Sequence, residues 1–586
     1  MSLTPSSFWP GPSALGTSTV ALGATVTGLL TLWVLYRWAL PRPIRGIPCN
    51  VAASRSILGD LPSILSYIKE TNQIWPWISR QTTDHQSPIV QVFPRPLSKP
   101  WVIISDFRES QDILLRRTKE FDGSDILGDI FDGLLPDFHQ HMKSTDSHFK
   151  ANRALLKDLM TPGFLNEVEA PQVYRNAETL VDLWNLKCRL ADGRPFKAST
   201  DIYNAALDTV FAATFGLEAR NNTNTSQLQQ LLKHSPGSDI DKSMEQTVIF
   251  SQFPRPAIFD AIIELTESLE TAVKAPFPRL GHWLLRWAPR LQRARAVTEW
   301  FIRNEVESVG KRVLSGDYSR TERSALGDIL QRELSLSKKE GRQLNFHSRS
   351  IYDEVFGFII AGHDSSSTTL CWDLKHFAVF QDAQGTLRLK LRTAYAAATK
   401  ARRNPTAEEI ALIQVPYLDA ALEEMVRTVR LLPGIPRTTM TDVLVMGYTI
   451  PKGINIWLLQ TGPGYFTPAL PVPDTVRSPS SLQAKYDVGT WDPTNMDKFL
   501  PERWLVKGED GQEVFNPHAG PQLSFGLGPR ACFGRRLAYL QMRIILVLMI
   551  WNFELLPLPQ ELSSFQAVDR MIIQPVQTHV RLKKVV

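Results

Sequence analysis

The sequence predicts a mainly α-helical protein with small β-sheets, preceded by one N-terminal transmembrane helix. Long stretches with helical periodicity outnumber the short alternating stretches that are typical of strands. The composition, 43% hydrophobic and 21% charged residues, is typical of a soluble globular body. No Gly/Ser linker, charge block or internal repeat divides the chain after its N-terminal segment. We therefore expect two parts, a membrane anchor at residues 1–40 and one large globular domain at residues 41–586.

The expected anchor is a charge-free segment at the N-terminus. Met1–Tyr36 contains no charged residue, and Val20–Trp38 is apolar and about long enough to span a bilayer. Arg37, Arg42 and Arg45 follow the charge-free segment, so we expect the globular domain on the cytosolic side. A cleaved signal peptide is the alternative, but it requires basic residues before the apolar run. The proline-rich stretch Pro41–Pro48 cannot continue a helix, so we expect a stiff connection there.

The charge and the cysteines argue against several classes of protein. A net charge of +6 is small for 586 residues, and no basic run is interleaved with aromatic residues as a nucleic-acid groove requires. We therefore expect no nucleic-acid partner. The four cysteines, Cys49, Cys188, Cys371 and Cys532, are far apart in the sequence, which argues against a zinc site or a disulfide framework. A reducing compartment fits this pattern.

One glycine-rich loop, Phe525–Gly534, carries the cysteine with the clearest chemical role. The loop precedes an apolar helical stretch, Arg535–Ile550. Free backbone amides and the helix dipole at the start of that helix would stabilise a thiolate at Cys532. Gly528 and Gly534 allow tight turns and close approach of the backbone to a flat ligand. The loop therefore predicts a thiolate that binds a metal-containing cofactor.

Two side chains of this loop complete the expected site. Phe525 can shield the sulfur from water, and Arg530 is a cation suited to a propionate group. A buried core cysteine is the alternative for Cys532, and it is the usual state of an isolated cysteine. However, the pattern F-x-x-G-x-R-x-C-x-G should arise by chance in this composition with an expectation only on the order of 10⁻⁵ to 10⁻⁴.

This loop resembles the haem-binding signature of the cytochrome P450 family. The resemblance implies the cytochrome P450 fold, with residues 41–586 as a haem-thiolate catalytic domain. It also implies that Cys532 is the axial ligand of the iron of haem b, with Arg530, Phe525 and Gly528 as further cofactor-binding residues. In such proteins the thiolate donates electron density that favours cleavage of the O–O bond.

Two further elements resemble the structural motifs of the same family. Tyr417–Arg427 has a helical pattern that places Glu424 and Arg427 on one face. Further along, Pro501–Trp504 is similar to the P-E-R-F/W element, whose arginine is here Arg503. The resemblance implies a buried network of Glu424 with both arginines. Such a network would lock the cysteine loop rather than take part in the chemistry.

Two arginines outside the loop match family positions that bind haem propionates. Arg437 precedes an alternating segment, Met446–Gly453, that predicts a hairpin. Arg153 resembles the arginine of the W-x-x-x-R helix, although Phe149 stands here in place of the tryptophan. That replacement removes one expected propionate donor. His148 is a candidate to replace this donor, although an isolated histidine on a helix is more often exposed or packed.

The stretch Ile351–Phe380 predicts one long helix with Gly362 in its interior. Glycine there costs about 1 kcal/mol relative to alanine, and close approach of a diatomic ligand would be a functional reason for it. The surrounding residues resemble the family's A/G-G-x-D/E-T-T element, which assigns proton delivery to Asp364 and Ser365. Serine keeps the hydroxyl of the usual threonine but loses the methyl group that fixes its rotamer. The alternative is a solvated polar helix face.

The resemblance implies a microsomal monooxygenase that oxidises a small lipophilic substrate with O₂. Electrons would come from NADPH through NADPH-cytochrome P450 reductase, for which Arg535, Arg536 and Lys150 are candidate docking residues. The expected location is the endoplasmic reticulum membrane, with a single span and a cytosolic catalytic domain. A reductase-independent haem-thiolate isomerase or dehydratase is one alternative, and a non-catalytic haem protein is another.

The substrate is poorly encoded in the sequence. The stretch Pro276–Trp287 mixes aromatic residues with arginines, which fits either a membrane-surface entrance or a buried helix. The insertion segment, Leu458–Thr490, is rich in proline and serine and has no functional interpretation. The divergent details resemble the fungal branches of the family that modify secondary metabolites.

Overall fold

The structure is a computed structural model, and it describes residues 14–216, 222–233, 240–241, 247–275, 277–318, 323–484 and 488–585. Residues 1–13 of the expected anchor lie outside the described residues. The α-helices are α1 (Ala14–Ala39), α2 (Val51–Ser54), α3 (Leu61–Thr71), α4 (Trp75–Asp84), α5 (Phe107–Leu115), α6 (Asp125–Phe131), α7 (Ser147–Leu155), α8 (Pro162–Phe164), α9 (Ala170–Ala191), α10 (Ser199–Phe215), α11 (Thr223–Lys233), α12 (Ala257–Lys274), α13 (Pro278–Leu285), α14 (Pro289–Ser315), α15 (Ala325–Glu340), α16 (Arg349–Val379), α17 (Gln381–Ala394), α18 (Ala396–Ala401), α19 (Ala407–Leu412), α20 (Pro416–Val429), α21 (Pro479–Gln483), α22 (Arg535–Asn552) and α23 (Gln560–Ser563).

Short strands and single helical turns connect these helices. The strands are β1 (Ile89–Val92), β2 (Trp101–Ile104), β3 (Phe121–Gly123), β4 (Phe196–Lys197), β5 (Ile240–Asp241), β6 (Ile249–Phe250), β7 (Gly434–Thr439), β8 (Val443–Val445), β9 (Tyr448–Ile450), β10 (Asn455–Leu459), β11 (Leu505–Lys507), β12 (Glu513–Phe515), β13 (Phe553–Leu555), β14 (Ala567–Asp569), β15 (Ile573–Pro575), β16 (His579–Val580) and β17 (Leu582–Lys584). The 3-10 turns include Asp474–Val476, Pro501–Trp504 and Gly528–Arg530. The prediction of a mainly helical protein with small sheets is confirmed.

The largest sheet supports one wall of the expected cofactor site. Its strand order is β1-β2-β10-β7-β3, and β10 runs parallel to β2 while the other neighbours are antiparallel. Arg437 lies on β7, where its backbone pairs with Ile456 on β10 and with Gly123 on β3. The predicted hairpin is formed by β8 and β9, and its turn places Met446 and Gly447 at positive φ.

The long helix α16 crosses the middle of the protein. Its N-cap is Ser348, whose side chain accepts a hydrogen bond from the backbone N–H of Ile351. Buried aromatic and aliphatic side chains surround the helix on both sides, in two separate hydrophobic clusters. One cluster joins α16 to α9, α20 and α22, and the other joins it to α10, α12, α14 and α15. The helix is therefore held rigidly against the C-terminal elements that carry Cys532.

The N-terminal helix α1 presents apolar side chains to its surroundings. Leu29, Trp33 and Trp38 are 62%, 59% and 64% exposed, respectively. Of the helices in the described residues, none is both long enough and apolar enough to cross a membrane. The prediction of a transmembrane helix at Val20–Trp38 is therefore not supported.

The aromatic stretch around α13 is exposed rather than buried. Leu280, Trp283, Leu284 and Trp287 are each more than half exposed. Of the two interpretations of this stretch, the buried helix is therefore wrong. The other interpretation, an entrance for the substrate at the membrane surface, stays a prediction.

Candidate functional site

Cys532 lies between the 3-10 turn Gly528–Arg530 and the start of α22. Its backbone N–H donates a hydrogen bond to the carbonyl oxygen of Phe525 at 2.7 Å, which closes the loop. The side chain is accessible, although protein atoms surround it densely. Burial raises the pKa of the Cys532 thiol, against the backbone N–H of Gly534 and the charges of Arg535 and Arg153, which lower it. A positively charged metal ion would supply the missing stabilisation of the thiolate.

Gly528 is required by the packing of the loop against α5. Its φ is +71°, and a Cβ at this position would lie 2.1 Å from the carbonyl oxygen of Leu114. No larger residue fits there without displacement of the helix. At Gly534, in contrast, a Cβ would meet nothing within 4 Å in the described structure. The two glycines therefore differ: one allows contact with α5, and the other leaves open space beside Cys532.

The side chains of Phe525 and Arg530 contact other segments of the protein. Phe525 packs beside Tyr539, with ring centroids 5.2 Å apart. Arg530 donates from Nη2 to the carbonyl oxygen of Gln140 at 2.6 Å, and from Nη1 to that of Met142 at 2.8 Å. The expectation that Arg530 also binds a propionate stays a prediction. These donors tie the loop to the segment before α7.

Arg437 and Arg153 lie near the same loop. Arg437 is buried, and burial together with the charge of Arg530 lowers its pKa to about 9. Its Nη1 donates to the neighbouring carbonyl oxygen of Pro436 at 2.9 Å. The guanidinium group of Arg153 stacks over the ring of Phe533 at 4.6 Å, and burial lowers its pKa.

Three guanidinium groups, those of Arg153, Arg437 and Arg530, therefore surround the loop. Burial lowers the pKa of both Arg437 and Arg530, and the charge of Asp122, 3.6 Å from the guanidinium group of Arg530, only partly opposes this shift. Its carboxylate also accepts hydrogen bonds from Ser144. So much buried positive charge is stabilised best by a further anion. A flat ligand with carboxylates and a thiol-binding metal fits this set of residues, and haem is such a ligand.

Phe149 and His148 occupy different environments on α7. The ring of Phe149 is buried and lies 4.9 Å below the guanidinium carbon of Arg530. The side chain of His148 is 81% exposed. His148 therefore does not replace the propionate donor that is lost with the tryptophan.

Glu424, Arg427 and Arg503 are brought together in one buried network. Arg427 forms two hydrogen bonds of 2.7 Å to the carboxylate of Glu424, and Nε of Arg503 lies 3.2 Å from the same carboxylate. Trp504 and the backbone N–H of Leu500 also donate to it. Both Glu424 and Arg427 are fully buried. The fork of Arg427 and the Nε–H of Arg503 thus satisfy a carboxylate that would otherwise be costly to bury.

Asp364 and Ser365 are neighbours on α16 but face different cavities. Ser365 lines a narrow cavity of about 50 Å³ together with Phe525 of the cysteine loop and Met542 of α22. Asp364 lines a polar cavity of about 270 Å³. Burial raises the pKa of Asp364. The interpretation of this stretch as a fully solvated helix face is therefore wrong.

The polar cavity contains groups that the sequence did not indicate. Nε2 of Gln574 donates to Oδ1 of Asp364 at 3.1 Å, across 210 residues of sequence. Tyr203 on α10 also lines this cavity, and its hydroxyl lies 2.7 Å from that of Thr368. No local pattern marks Gln574, because its partner lies on a distant helix.

Gly362 packs closely against α10. A Cβ at this position would lie 3.0 Å from Cγ2 of Val210. This contact gives the glycine a packing reason, and the approach of a diatomic ligand stays a prediction. Ser365 contacts the helix itself: its hydroxyl donates to the carbonyl oxygen of Ala361 at 2.7 Å.

The chain is similar to known cytochrome P450 proteins over most of its length. A family model for cytochrome P450 matches residues 79–465 and 481–579. The chain is 36% identical over 579 residues to the cytochrome P450 monooxygenase TRI13 of Fusarium sporotrichioides, covering 95% of this chain and 98% of that protein. It is 36% identical over 573 residues to the cytochrome P450 monooxygenase GME11363 of Pestalotiopsis microspora, covering 97% and 99%. It is 32% identical over 557 residues to the cytochrome P450 monooxygenase xilC of Penicillium crustosum, covering 95% of each. The chain therefore belongs to the cytochrome P450 family, as an oxidoreductase that incorporates oxygen from O₂.

Proposed function

We propose that this cytochrome P450 inserts oxygen into a small lipophilic substrate in a fungal secondary-metabolite pathway. The observation that carries the proposal is the position of two adjacent residues: Asp364 lines a polar cavity, and Ser365 lines a cavity beside the cysteine loop. The relatives named above are monooxygenases of three fungal genera. In the proposed reaction one oxygen atom of O₂ enters the substrate and the other leaves as water.

Four residues are proposed to hold the haem. Cys532 would bind the iron through its sulfur, and Arg437 and Arg153 would bind the propionates. Arg530 would contribute by holding the cysteine loop in place, since its Nη donors bind the carbonyls of the segment before α7. Bound haem supplies the iron centre that activates O₂. The protein side chains position this centre and exclude water from it.

Asp364 is proposed to pass protons from solvent towards Ser365. The polar cavity, at about 270 Å³, has room for several water molecules, each of which takes about 30 Å³ in the liquid. Because burial raises the pKa of Asp364, its carboxyl group holds a proton closer to neutral pH than an exposed one does. Ser365 must leave its bond to Ala361 in order to donate elsewhere. Serine can rotate more freely than threonine because it lacks the methyl group.

Part of the wall beside Ser365 is apolar. Val426, Val429, Leu431 and Leu432 line the same narrow cavity, which also contains the hydroxyl groups of Ser366, Thr369 and Ser524. The cavity, at about 50 Å³, is far below the ~300 Å³ of a ligand pocket, so we do not place the substrate within it.

Electrons are proposed to come from NADPH through a cytochrome P450 reductase. Arg535 and Arg536 lie exposed at the start of α22, next to Cys532. Such a basic surface attracts an acidic partner. A short path from the partner to the sulfur ligand would follow.

The test is product formation by the full-length chain with reductase, NADPH and O₂. We expect product that carries label from ¹⁸O₂, and none without NADPH or without reductase. Asp364→Asn should lower the amount of product per NADPH consumed by about 10² to 10⁴-fold, because a positioned acid is lost. Glu267→Gln, which changes another acid in the wall of the polar cavity, should have little effect. Equal yields from Asp364→Asn and the wild type would contradict the proposed proton route.

A reductase-independent isomerase or dehydratase is the second candidate. The observation in its favour is the hydrogen bond of Ser365 to Ala361, which occupies the hydroxyl that the first candidate needs. Turnover of an organic peroxide without NADPH, and no labelled product from ¹⁸O₂, would establish this second candidate in place of the first.

We also propose that the protein is attached to the endoplasmic reticulum membrane, with its catalytic domain in the cytosol. The exposed apolar side chains of α1 and α13 support this location, since both would favour the membrane interface over water. The exposed aromatic side chains Trp33 and Trp283 suit that interface. A full-length fluorescent fusion should sediment with microsomes, and a chain without residues 1–40 should do so less. A full-length fusion that remains in the soluble fraction would refute the attachment.

A further inference from the structure

The insertion segment, Leu458–Thr490, contains the internal gap in the match to the family model. The match stops at residue 465 and resumes at residue 481. This stretch contains the 3-10 turn Asp474–Val476 and leads into α21. It packs on α5, the helix before the β3 strand. A stretch outside the family model thus contacts an element that the model matches.

Arg477 joins the insertion segment to the start of α5. Its Nη1 and Nη2 lie 2.7 and 2.8 Å from the two carboxylate oxygens of Asp106, in a bidentate pair. Asp106 is the N-cap of α5, because the same carboxylate accepts the backbone N–H of Glu109 at 2.8 Å. Both partners of the pair are largely buried. Bidentate, charge-assisted pairs of this kind are stronger and more specific in geometry than single hydrogen bonds.

Two serines of the insertion segment bind the middle of the same helix. The hydroxyls of Ser478 and Ser480 donate to Oδ2 of Asp112 at 2.8 and 2.9 Å. The other oxygen of Asp112 accepts a hydrogen bond from Arg116. The side chain of Asp112 is fully buried. The carboxylate therefore depends on these partners for compensation of its burial.

A third acid of α5 adds to the need for positive charge. Glu109 is fully buried, and its nearest cations are Arg117 at 3.5 Å and Arg477 at 4.0 Å. Arg477 therefore faces two carboxylates of this helix. Without Arg477, Asp106 and Glu109 would be buried next to Asp112 with one compensating charge fewer.

The far end of α5 supports the cysteine loop. The backbone at Gly528 lies so close to α5 that a Cβ there would be only 2.1 Å from the carbonyl oxygen of Leu114. After α5 the chain enters β3, where Gly123 lies against the guanidinium group of Arg530. The chain from α5 to β3 thus touches the loop at two points, and the first of them, at Gly528, requires glycine.

We propose that the insertion segment clamps α5 against the cysteine loop, with Arg477 as the positioning residue that fixes this support. The clamp acts on Cys532 indirectly, through Asp106, α5 and the Leu114–Gly528 contact. Its importance for the haem rests on the proposed role of Cys532 as the iron ligand. The mechanical part of the proposal, from Arg477 to the loop, does not depend on that role.

The test is hydrogen exchange of the full-length protein, with Arg477→Gln compared to Arg342→Gln. Arg342 is a matched control, since it forms a bidentate pair with Glu333 at 2.6 and 2.7 Å, away from α5. Arg477→Gln should speed amide exchange about tenfold in Phe107–Leu115 and also in Phe525–Gly534, because a charge-assisted pair is lost. Arg342→Gln should change neither region. Faster exchange in α5 with an unchanged cysteine loop would overturn the proposal.

Two further variants keep the test decisive if Arg477→Gln does not fold. Ser480→Ala removes one of the bonds to Asp112 and should change the same two regions more weakly. Arg477→Lys keeps the charge but not the fork, so it should fall between the wild type and Arg477→Gln. If Ser480→Ala and Arg477→Lys both exchange like the wild type in the loop, the insertion segment is not a clamp.

The reduced carbon monoxide difference spectrum gives a second measurement on the haem-loaded protein. The band of thiolate-ligated haem should decay faster in Arg477→Gln than in the wild type or in Arg342→Gln. Equal decay in all three would overturn the effect on the ligand. If Cys532 is not the iron ligand, the exchange result for Arg477→Gln would still hold, but the carbon monoxide band would persist in Cys532→Ala. The two failures are therefore distinguishable.

Discussion

Replacement of Arg427 by methionine should lower the free energy of unfolding by about 3–5 kcal/mol and reduce the yield of haem-loaded protein. The substitution leaves the carboxylate of Glu424 buried with its bidentate partner missing, and an uncompensated buried charge is strongly destabilising. It also frees the backbone carbonyls of Met496 and Lys498, which Arg427 binds at 2.8 Å. The segment Met496–Lys498 loses its attachment to α20 through Arg427 in the same step.

Denaturant unfolding measures this effect, with Arg80→Met as the matched control. Arg80 pairs with Asp84 at 3.3 Å, but its side chain is 66% exposed. Loss of such a surface pair should cost less than about 1 kcal/mol. If Arg427→Met were no more destabilising than Arg80→Met, the network would not be the structural lock that we describe.

The local parts of the site could be predicted from the sequence. Glu424 and Arg427 lie one helical turn apart, so helix periodicity alone places them together. The cysteine loop is a contiguous motif with glycines at fixed positions, and a contiguous motif needs no knowledge of the fold. The long helix α16 also follows from periodicity, within a few residues of its observed ends.

The contacts between distant segments could not be predicted. Gln574 reaches Asp364 across 210 residues, and Arg477 reaches Asp106 across 371 residues. The packing partner of Gly362, Val210, lies on another helix and has no mark in the sequence around the glycine. In each case the residue type indicates a need for a partner, but only the fold determines which partner satisfies it.

The same limit applies to the contacts of Arg530. Its position in the motif indicates a cation near the cofactor. Its Nη donors bind carbonyls of Gln140 and Met142, which no sequence pattern identifies as acceptors. The arginine therefore connects the cysteine loop to the segment before α7, and its propionate role stays a prediction, as do those of Arg437 and Arg153.

Replacement of Cys532 by alanine should abolish the thiolate-ligated haem. The substitution removes the sulfur, and no other cysteine is near in sequence to take its place. Alanine fits the loop, because the bond of the Cys532 backbone N–H to Phe525 does not involve the side chain. We therefore expect a folded protein with little or no turnover, since the electron donation that favours O–O cleavage is lost. Cys49→Ala, which changes a half-buried cysteine far from the loop, is the control.

The most direct measurement is the reduced carbon monoxide difference spectrum of the wild type, Cys532→Ala and Cys49→Ala. We expect the long-wavelength band of thiolate-ligated haem in the wild type and in Cys49→Ala, and no such band in Cys532→Ala. A band that persists unchanged in Cys532→Ala would show that another group binds the iron, and would contradict the assignment of this site.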